Sequence, residues 1–289
     1  METPRIGWIG TGVMGRSMAG HLLAAGFPLI VTTRTRAKAE PLLAAGAQWA
    51  DTPRQVAEAS DVVCSIVGMP SDVEQVHLGP EGTLAATPRP RLVIDLTTSS
   101  PALARRIAEA AAAKGVGALD APVSGGDLGA RNATLSIMCG GSAQDFAAAE
   151  PVLAKLGKTI VLQGGPGSGQ HAKMVNQLLI AGTMLGLAEG LAYAKQAGLD
   201  PHTVLTSVSG GAAASWSLAN LAPRVLKGDF APGFFIEHFV KDLRIAIDEA
   251  RAMGLDLPAL RTAEATYARL VQAGHAANGT QAIVHAYGW

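Results

Sequence analysis

The first half of the chain is punctuated by short, nearly unbroken apolar runs at residues 5–9, 28–32, 61–67, 91–96, 133–140 and 159–162. Such runs predict strands, and those at 61–67 and 91–96, which lack the polar alternation of a half-exposed strand, predict central parallel strands covered on both faces, with the stretches between them supplying helices. The second half changes period. Residues 169 to about 196 contain no proline and little charge, which predicts one long helix, apolar nearly all round and hence buried. Further helices are predicted from residue 199, over 214–226, over 236–253 and over 258–272. The Gly/Pro-rich stretch at 164–168 is the best break in the pattern, dividing the chain into an α/β domain at 1–164 and an all-helical domain at 165–289. So much apolar helix surface in a small domain also predicts subunit packing, as a homodimer or homotetramer.

Composition narrows the picture. With 289 residues, 48% hydrophobic, 16% charged and 34 glycines, the chain can form two globular domains, each with its own core. Lys+Arg and Asp+Glu both total 23, so no net field attracts nucleic acid or anionic lipid, and an anionic ligand must be held locally. Cys64 and Cys139 lie in apolar runs without metal-ligand spacing, which reads as core positions, no metal and a reducing compartment. The chain enters residues 5–9 with no hydrophobic leader, and the apolar run 178–188 is too short to span a bilayer, so a cytoplasmic protein with no membrane partner is expected.

The chemistry begins at Gly10-Thr11-Gly12-Val13-Met14-Gly15, directly after a strand and before a helical pattern. In that context the glycines permit a tight turn and close approach of a dinucleotide pyrophosphate to a helix N-terminus, the signature of a Rossmann-type doubly wound sheet. The next strand ends without the acid that would bind the ribose hydroxyls of NAD. It runs into Thr33-Arg34-Thr35, a guanidinium with flanking hydroxyls suited to the 2′-phosphate of NADP, although Arg34 facing solvent at a helix head is the alternative. Met69, Pro70 and Thr97 follow strand ends and should line the nicotinamide side, whereas Ser100-Pro101 looks like an ordinary helix cap. Ser124-Gly125-Gly126 offers a hydroxyl and unobstructed amides, either a nest for a carboxylate or a plain turn. On the long helix Lys173, Asn176 and Gln177 stand at i, i+3 and i+4, so an amine and two amides share a face, as a catalytic group or a solvated first turn. Phe234, Phe235, His238 and Phe239 have the spacing of core residues or of a pocket wall.

These motifs, with Asp-Leu-Thr-Thr-Ser-Ser at 95–100, Asp-Ala-Pro-Val-Ser-Gly-Gly at 120–126, Gly-Gln-His-Ala-Lys-Met-Val-Asn-Gln at 169–177 and Lys-Asp-Leu-Arg-Ile-Ala at 241–246, resemble the β-hydroxyacid dehydrogenase family over essentially the whole chain. This is the group of 3-hydroxyisobutyrate dehydrogenase, tartronate semialdehyde reductase and the succinic semialdehyde reductases. The resemblance implies that Ser124, Gly125 and Gly126 hold a substrate carboxylate, that Lys173 is the general acid/base, and that Asn176 helps to fix the substrate. It also implies that Lys241 lies near the cofactor and Asp242 near the Lys173 side of the cleft; a Rossmann half followed by an all-helical half puts the expected active site between the two, with Phe235 a candidate for the pocket wall. The expected reaction interconverts a small β-hydroxy acid and its semialdehyde, with NADP(H) preferred and NAD possible. Burial at a helix N-terminus should lower the Lys173 pKa from about 10.4 toward neutrality. Two departures bear on this. Gln177 replaces a second asparagine, which tilts toward the semialdehyde reductases; Lys173 stands where imine-reducing relatives carry aspartate or tyrosine, which argues against an imine reductase. A non-catalytic dinucleotide-binding protein is the third reading, against which intact Lys173 and Ser124 weigh.

Overall fold

The computed structural model describes residues 3–289; the first two residues, part of the stretch read as leaderless, lie outside the described residues. The chain divides into two compact units, the first ending at Lys173 and the second running Met174–Trp289. The expected boundary at 164/165 thus stands nine residues ahead of the change of unit, which falls inside the long helix.

In the first unit, nine strands make one sheet: β1 (Ile6–Ile9), β2 (Leu29–Thr32), β3 (Gln48–Trp49), β4 (Val62–Ser65), β5 (Leu92–Asp95), β6 (Gly117–Asp120), β7 (Val123–Ser124), β8 (Leu135–Gly140) and β9 (Gly157–Gly164). Their order is β3-β2-β1-β4-β5-β6-β8-β7, with β9 added on β8. The pairs from β3 to β6 are parallel and the order reverses beside β1, which is the doubly wound arrangement; β8 joins β6 antiparallel. Every residue of β1, β4 and β5 is buried, as unbroken apolar runs require of strands covered on both faces. The connecting helices are α1 (Val13–Ala24), α2 (Glu40–Ala44), α3 (Pro53–Glu58), α4 (Pro70–Leu78), α5 (Pro101–Ala112), α6 (Gly126–Asn132) and α7 (Ala143–Leu153). Proline opens α3, α4 and α5, where its missing N–H would have no helical partner. Ser100 caps α5 by accepting the Leu103 N–H at 3.1 Å, as its Ser-Pro sequence suggests. Ile6, Trp8, Met18, Leu22, Ile94, Leu96, Leu135 and Ile137 form the centre of the core, each contributing about 1.5–3 kcal/mol by leaving water. The Trp8 indole also donates to Gly10 O at 2.8 Å, tying the core to the glycine loop.

The second unit is helical: α8 (Ser168–Gln196, entering from the first unit), α9 (Pro201–Val208), α10 (Trp216–Asn220), α11 (Ala222–Leu226), α12 (Ile236–Ala252) and α13 (Pro258–Leu270). Met184, Phe239, Leu243, Tyr267 and Ile283 lie at its centre, with the Phe239 and Tyr267 rings edge to face at 5.0 Å.

Three expectations are corrected here. The helix anticipated over 214–226 is two helices that meet at Leu221, because Pro223 has no N–H to donate to the preceding turn. The helix anticipated over 258–272 ends at Leu270 and loosens into a wide turn over Val271–His275, where Gly274 adopts φ 91°. The third concerns α8, which is not buried all round: Val175, Leu179 and Tyr193 are 60%, 68% and 75% exposed. By length and composition this 29-residue helix could also cross a membrane, which the 178–188 run alone did not suggest, yet Met184, Leu187 and Leu191 make it a core helix of the second unit.

Candidate active site

The glycine loop joins β1 to α1, and two of its glycines are dictated by the chain itself. Gly10 has φ +98°, and a Cβ there would lie 2.1 Å from Ile66 O; a Cβ on Gly15 would lie 2.1 Å from Gly10 O. Gly12 differs, since a Cβ there would meet nothing within 4 Å. Its missing side chain therefore clears space for something outside the chain. Gly12 is also the N-cap of α1 without a side-chain cap, and no acid occupies the first turn, so the N–H groups around Val13 and Met14 and the positive helix end are uncompensated. Beside them Thr11 is 2% exposed and its Oγ1 takes no hydrogen bond among the described residues. A buried orphan hydroxyl, an uncapped helix and an open glycine together fit a dinucleotide pyrophosphate.

At the end of β2 the Thr33 hydroxyl faces the Thr11 N–H at 3.5 Å. The Arg34 side chain is 83% exposed, and its guanidinium touches Asp72 at 3.4 Å, a surface pair of little energy. Thr35 is exposed and extended, and Arg36 lies over the Trp49 ring at 5.0 Å. Arg34 is thus the guanidinium at this strand end that is not stacked on a ring. Met69 is 43% exposed and Pro70 opens α4. Thr97 is buried, and its Oγ1 accepts the Val67 N–H at 3.0 Å, so it locks the ends of β4 and β5 together.

Beneath these loops lies a polar chain that sequence reasoning missed. Ser65 donates to Asp95 Oδ1 at 2.8 Å, and His77 Nε2 lies 3.0 Å from the same hydroxyl. Since the serine proton goes to Asp95, His77 must donate through Nε2 and accept through Nδ1 from Thr83 at 2.9 Å. Asp95 Oδ1 also accepts the Thr97 N–H at 3.2 Å. Serine stands between histidine and aspartate and is wholly buried, so this is a brace and not a nucleophilic triad. Burial pushes the Asp95 carboxyl up to about 6, against the lowering effect of its hydrogen bonds, and pushes His77 down to about 4.

Ser124 ends β7 half-buried, and Gly125 and Gly126 follow at φ 133° and 62°, opening α6 with no side-chain cap. Lys173 comes to the same place. It is 6% exposed, and its Nζ donates to the carbonyl of Val123, the residue before Ser124, at 2.9 Å. A solvated first turn is therefore not its environment.

Two residues unassigned from sequence hold the start of α8. The Asp120 carboxylate accepts the Gly167 N–H at 2.7 Å and the Gln170 N–H at 2.8 Å. A negative charge there compensates the positive end of a 29-residue helix. Burial nevertheless raises the Asp120 pKa, the amide hydrogen bonds opposing. The Gln170 side chain, fully buried, accepts the Ser99 N–H at 2.9 Å and donates to Thr97 O at 2.7 Å.

In the second unit Gln177 donates to Asp242 Oδ2 at 2.5 Å and accepts from Asn176 Nδ2 at 2.7 Å. Lys241 Nζ sits 3.1 Å from Asp242 Oδ1, close enough for an ion pair though not aligned for a hydrogen bond. The aromatic group splits: Phe239 is core, while Phe235 is the half-buried N-cap of α12, edge-on to His238 at 5.7 Å. Cys64 and Cys139 are buried free thiols pushed up to about 12 by burial.

Two family models match. One, described as the NAD binding domain of 6-phosphogluconate dehydrogenase, covers residues 5–165; the other, described as NAD-binding of NADP-dependent 3-hydroxyisobutyrate dehydrogenase, covers 167–287. Similar proteins include an uncharacterized oxidoreductase of Bacillus subtilis, 51% identical over 96% of this chain and 96% of its own. The 2-hydroxy-3-oxopropionate reductase of Escherichia coli is 39% identical over 97% of this chain and 94% of its own. The crystal structure of 3-hydroxyisobutyrate dehydrogenase from Salmonella typhimurium superposes with a TM-score of 0.88 at 30% identity, covering 97% of this chain and 99% of that one.

Proposed function

Because the chain belongs to the β-hydroxyacid dehydrogenase family, a group of NAD(P)-dependent hydroxyacid dehydrogenases, we propose that it interconverts a small β-hydroxy acid with its semialdehyde and prefers NADP(H). The observation that carries this reading is the buried Lys173 amine, hydrogen-bonded at 2.9 Å to the carbonyl that precedes Ser124-Gly125-Gly126. That placement sets a proton donor beside a hydroxyl and free backbone amides suited to a carboxylate.

Gly10, Thr11, Gly12, Val13, Met14 and Gly15 would hold the dinucleotide pyrophosphate, with Met69, Pro70, Thr97 and Lys241 toward its nicotinamide end. Thr33, Arg34 and Thr35 would receive a 2′-phosphate, for which Arg34 must exchange its weak contact with Asp72. When bound, the nicotinamide supplies or accepts the hydride. Lys173 protonates the carbonyl oxygen of the semialdehyde in reduction and takes the hydroxyl proton in oxidation. Ser124, Gly125 and Gly126 fix the carboxylate, Asn176 orients the substrate one helical turn beyond Lys173, Phe235 supplies an apolar wall, and Asp242 restrains Lys241. Asp120 and Gln170 position the helix start that carries Lys173.

We also assign the exposed stripe Val175, Leu179, Gly182, Gly186, Gly190 and Tyr193 of α8 to a homo-oligomeric contact. Glycines at every fourth position let a second helix approach closely, and light scattering on the purified protein tests it.

A spectrophotometric screen with NADPH and NADH tests the function. Turnover of at least one of succinic, tartronate or methylmalonate semialdehyde or glyoxylate, faster with NADPH, is the expected result. Absence of turnover on the whole panel with both cofactors would overturn it.

A further inference from the structure

Gln177 is only 1% exposed, and both ends of its amide are engaged, as burial of an amide requires. The direction of the chain it forms is set at one end. Asp242 is 1% exposed and held against the Lys241 ammonium, so it offers only acceptors, and Gln177 must turn its NH2 toward it. The Gln177 carbonyl is then left facing Asn176, which must answer with Nδ2. Asn176 is half-buried, and its Oδ1 takes no hydrogen bond among the described residues. The polarity of a buried carboxylate thereby reaches a side chain that does not touch it. Low dielectric around Gln177 strengthens both bonds and makes the reversed amide, with Oε1 against a carboxylate, costly. A shorter amide at position 177 would lack one methylene and could not reach both partners.

We propose that Gln177 is a positioning residue that relays the charge of Asp242 to Asn176, presenting Asn176 Oδ1 as a hydrogen-bond acceptor and so favouring acids that carry a hydroxyl beside the carboxylate over those that carry a methyl. The proposal rests on the reading of Asn176 as a substrate-orienting residue. The ligand class is a small α,β-dihydroxy acid or the corresponding α-hydroxy semialdehyde. A methyl in the same place leaves the Asn176 oxygen without a donor, and a site built to bind a hydroxyl rejects the analogue lacking it.

The test is calorimetric titration of the full-length protein, saturated with NADPH so that no hydride can pass from the alcohol, with glycerate and with 3-hydroxyisobutyrate, which differ by hydroxyl against methyl. Wild type should bind glycerate at least about tenfold tighter, the worth of one good hydrogen bond. Gln177→Met keeps the volume and removes the relay; Asp242→Asn is nearly isosteric, so it guards against a folding defect, and it frees the Gln177 amide to take either orientation. In both variants the two acids should bind within about threefold of each other, chiefly through weaker glycerate binding. Equal binding of the two acids by wild type, no binding of either, or the wild-type ratio persisting in both variants would overturn the relay. Turnover is measured alongside. Discrimination without turnover of any semialdehyde would retain the relay and overturn the reaction, whereas turnover without discrimination would do the reverse.

Discussion

Asp95→Asn isolates the energetic cost of the buried brace beneath the cofactor loops. The carboxyl is 6% exposed, and burial raises its pKa to about 6, whereas an unfolded aspartate titrates near 3.9. Between about pH 4 and about 6 the folded protein therefore holds a proton that the unfolded chain has released, so stability falls as pH rises through that window and levels off above it. A difference of about two units corresponds to about 3 kcal/mol. The groups facing this carboxyl are Ser65 and Thr97, which donate to it, His77, kept neutral behind Ser65, and Asp120, whose charge raises the shift slightly further. Ser65 and the Thr97 amide both donate to Oδ1, so asparagine retains both bonds and loses only the titrating charge. Urea unfolding across the pH range checks this. The variant should match wild type near about pH 4 and exceed it by up to about 3 kcal/mol near about pH 7.5. Parallel pH profiles for the two proteins, whatever their offset, would refute the reasoning.

Lys173→Ala should lower kcat by about 10²–10⁴ while the dissociation constant for NADPH, followed by fluorescence, stays within about threefold. Arg34→Ala should raise the Michaelis constant for NADPH by at least about tenfold and leave that for NADH unchanged; equal effects on both would remove Arg34 from 2′-phosphate recognition. Asp120→Ala leaves the Gly167 and Gln170 amides, now bonded at 2.7 and 2.8 Å, without their acceptor. At about 1–3 kcal/mol for each unsatisfied buried group, the melting temperature should drop by about 5–20 °C, and calorimetry showing less than about 1 °C would sink the assignment.

Elements and their order were legible because their signals are local. Unbroken apolar runs marked the parallel strands, and Gly10 to Gly15 announced its turn because strand and helix flank it directly. Lys173 stood out for the same reason, as a cation at the head of a helical stretch with little charge. The breaks at Leu221 and Gly274 also had local causes, since Pro223 and Gly274 are visible in the chain, but the helical period around them was given more weight than either residue. The excess of apolar helix surface was legible, but which face of α8 stays exposed was not. An apolar side chain looks the same whether its own core or a second molecule covers it, and Leu179 at 68% exposure is no less apolar than buried Leu187.

The polar contacts divide differently. Gln177 meets Asp242 across 65 residues, Asp120 meets Gly167 across 47, and Gln170 meets Ser99 across 71, so no spacing rule joins them. Even so, Asp120 had a sequence signal, because burying a polar group is costly and a strand tolerates it only where a partner waits. Ser65, Asp95 and Asp120 are each the last residue of an apolar strand, and they are register partners across β4, β5 and β6. A parallel sheet aligns such endings in one row at the edge where loops leave, so three polar residues at equivalent strand ends imply a shared layer. That layer braces the loop at Val67, the loop at Thr97 and the start of α8, the last of which delivers Lys173. Its members should therefore couple: in a double-mutant cycle Ser65→Ala with Asp95→Asn should be non-additive, since the Ser65 hydroxyl donates to the carboxylate whose charge Asp95→Asn removes, whereas either combined with Arg34→Ala should be additive.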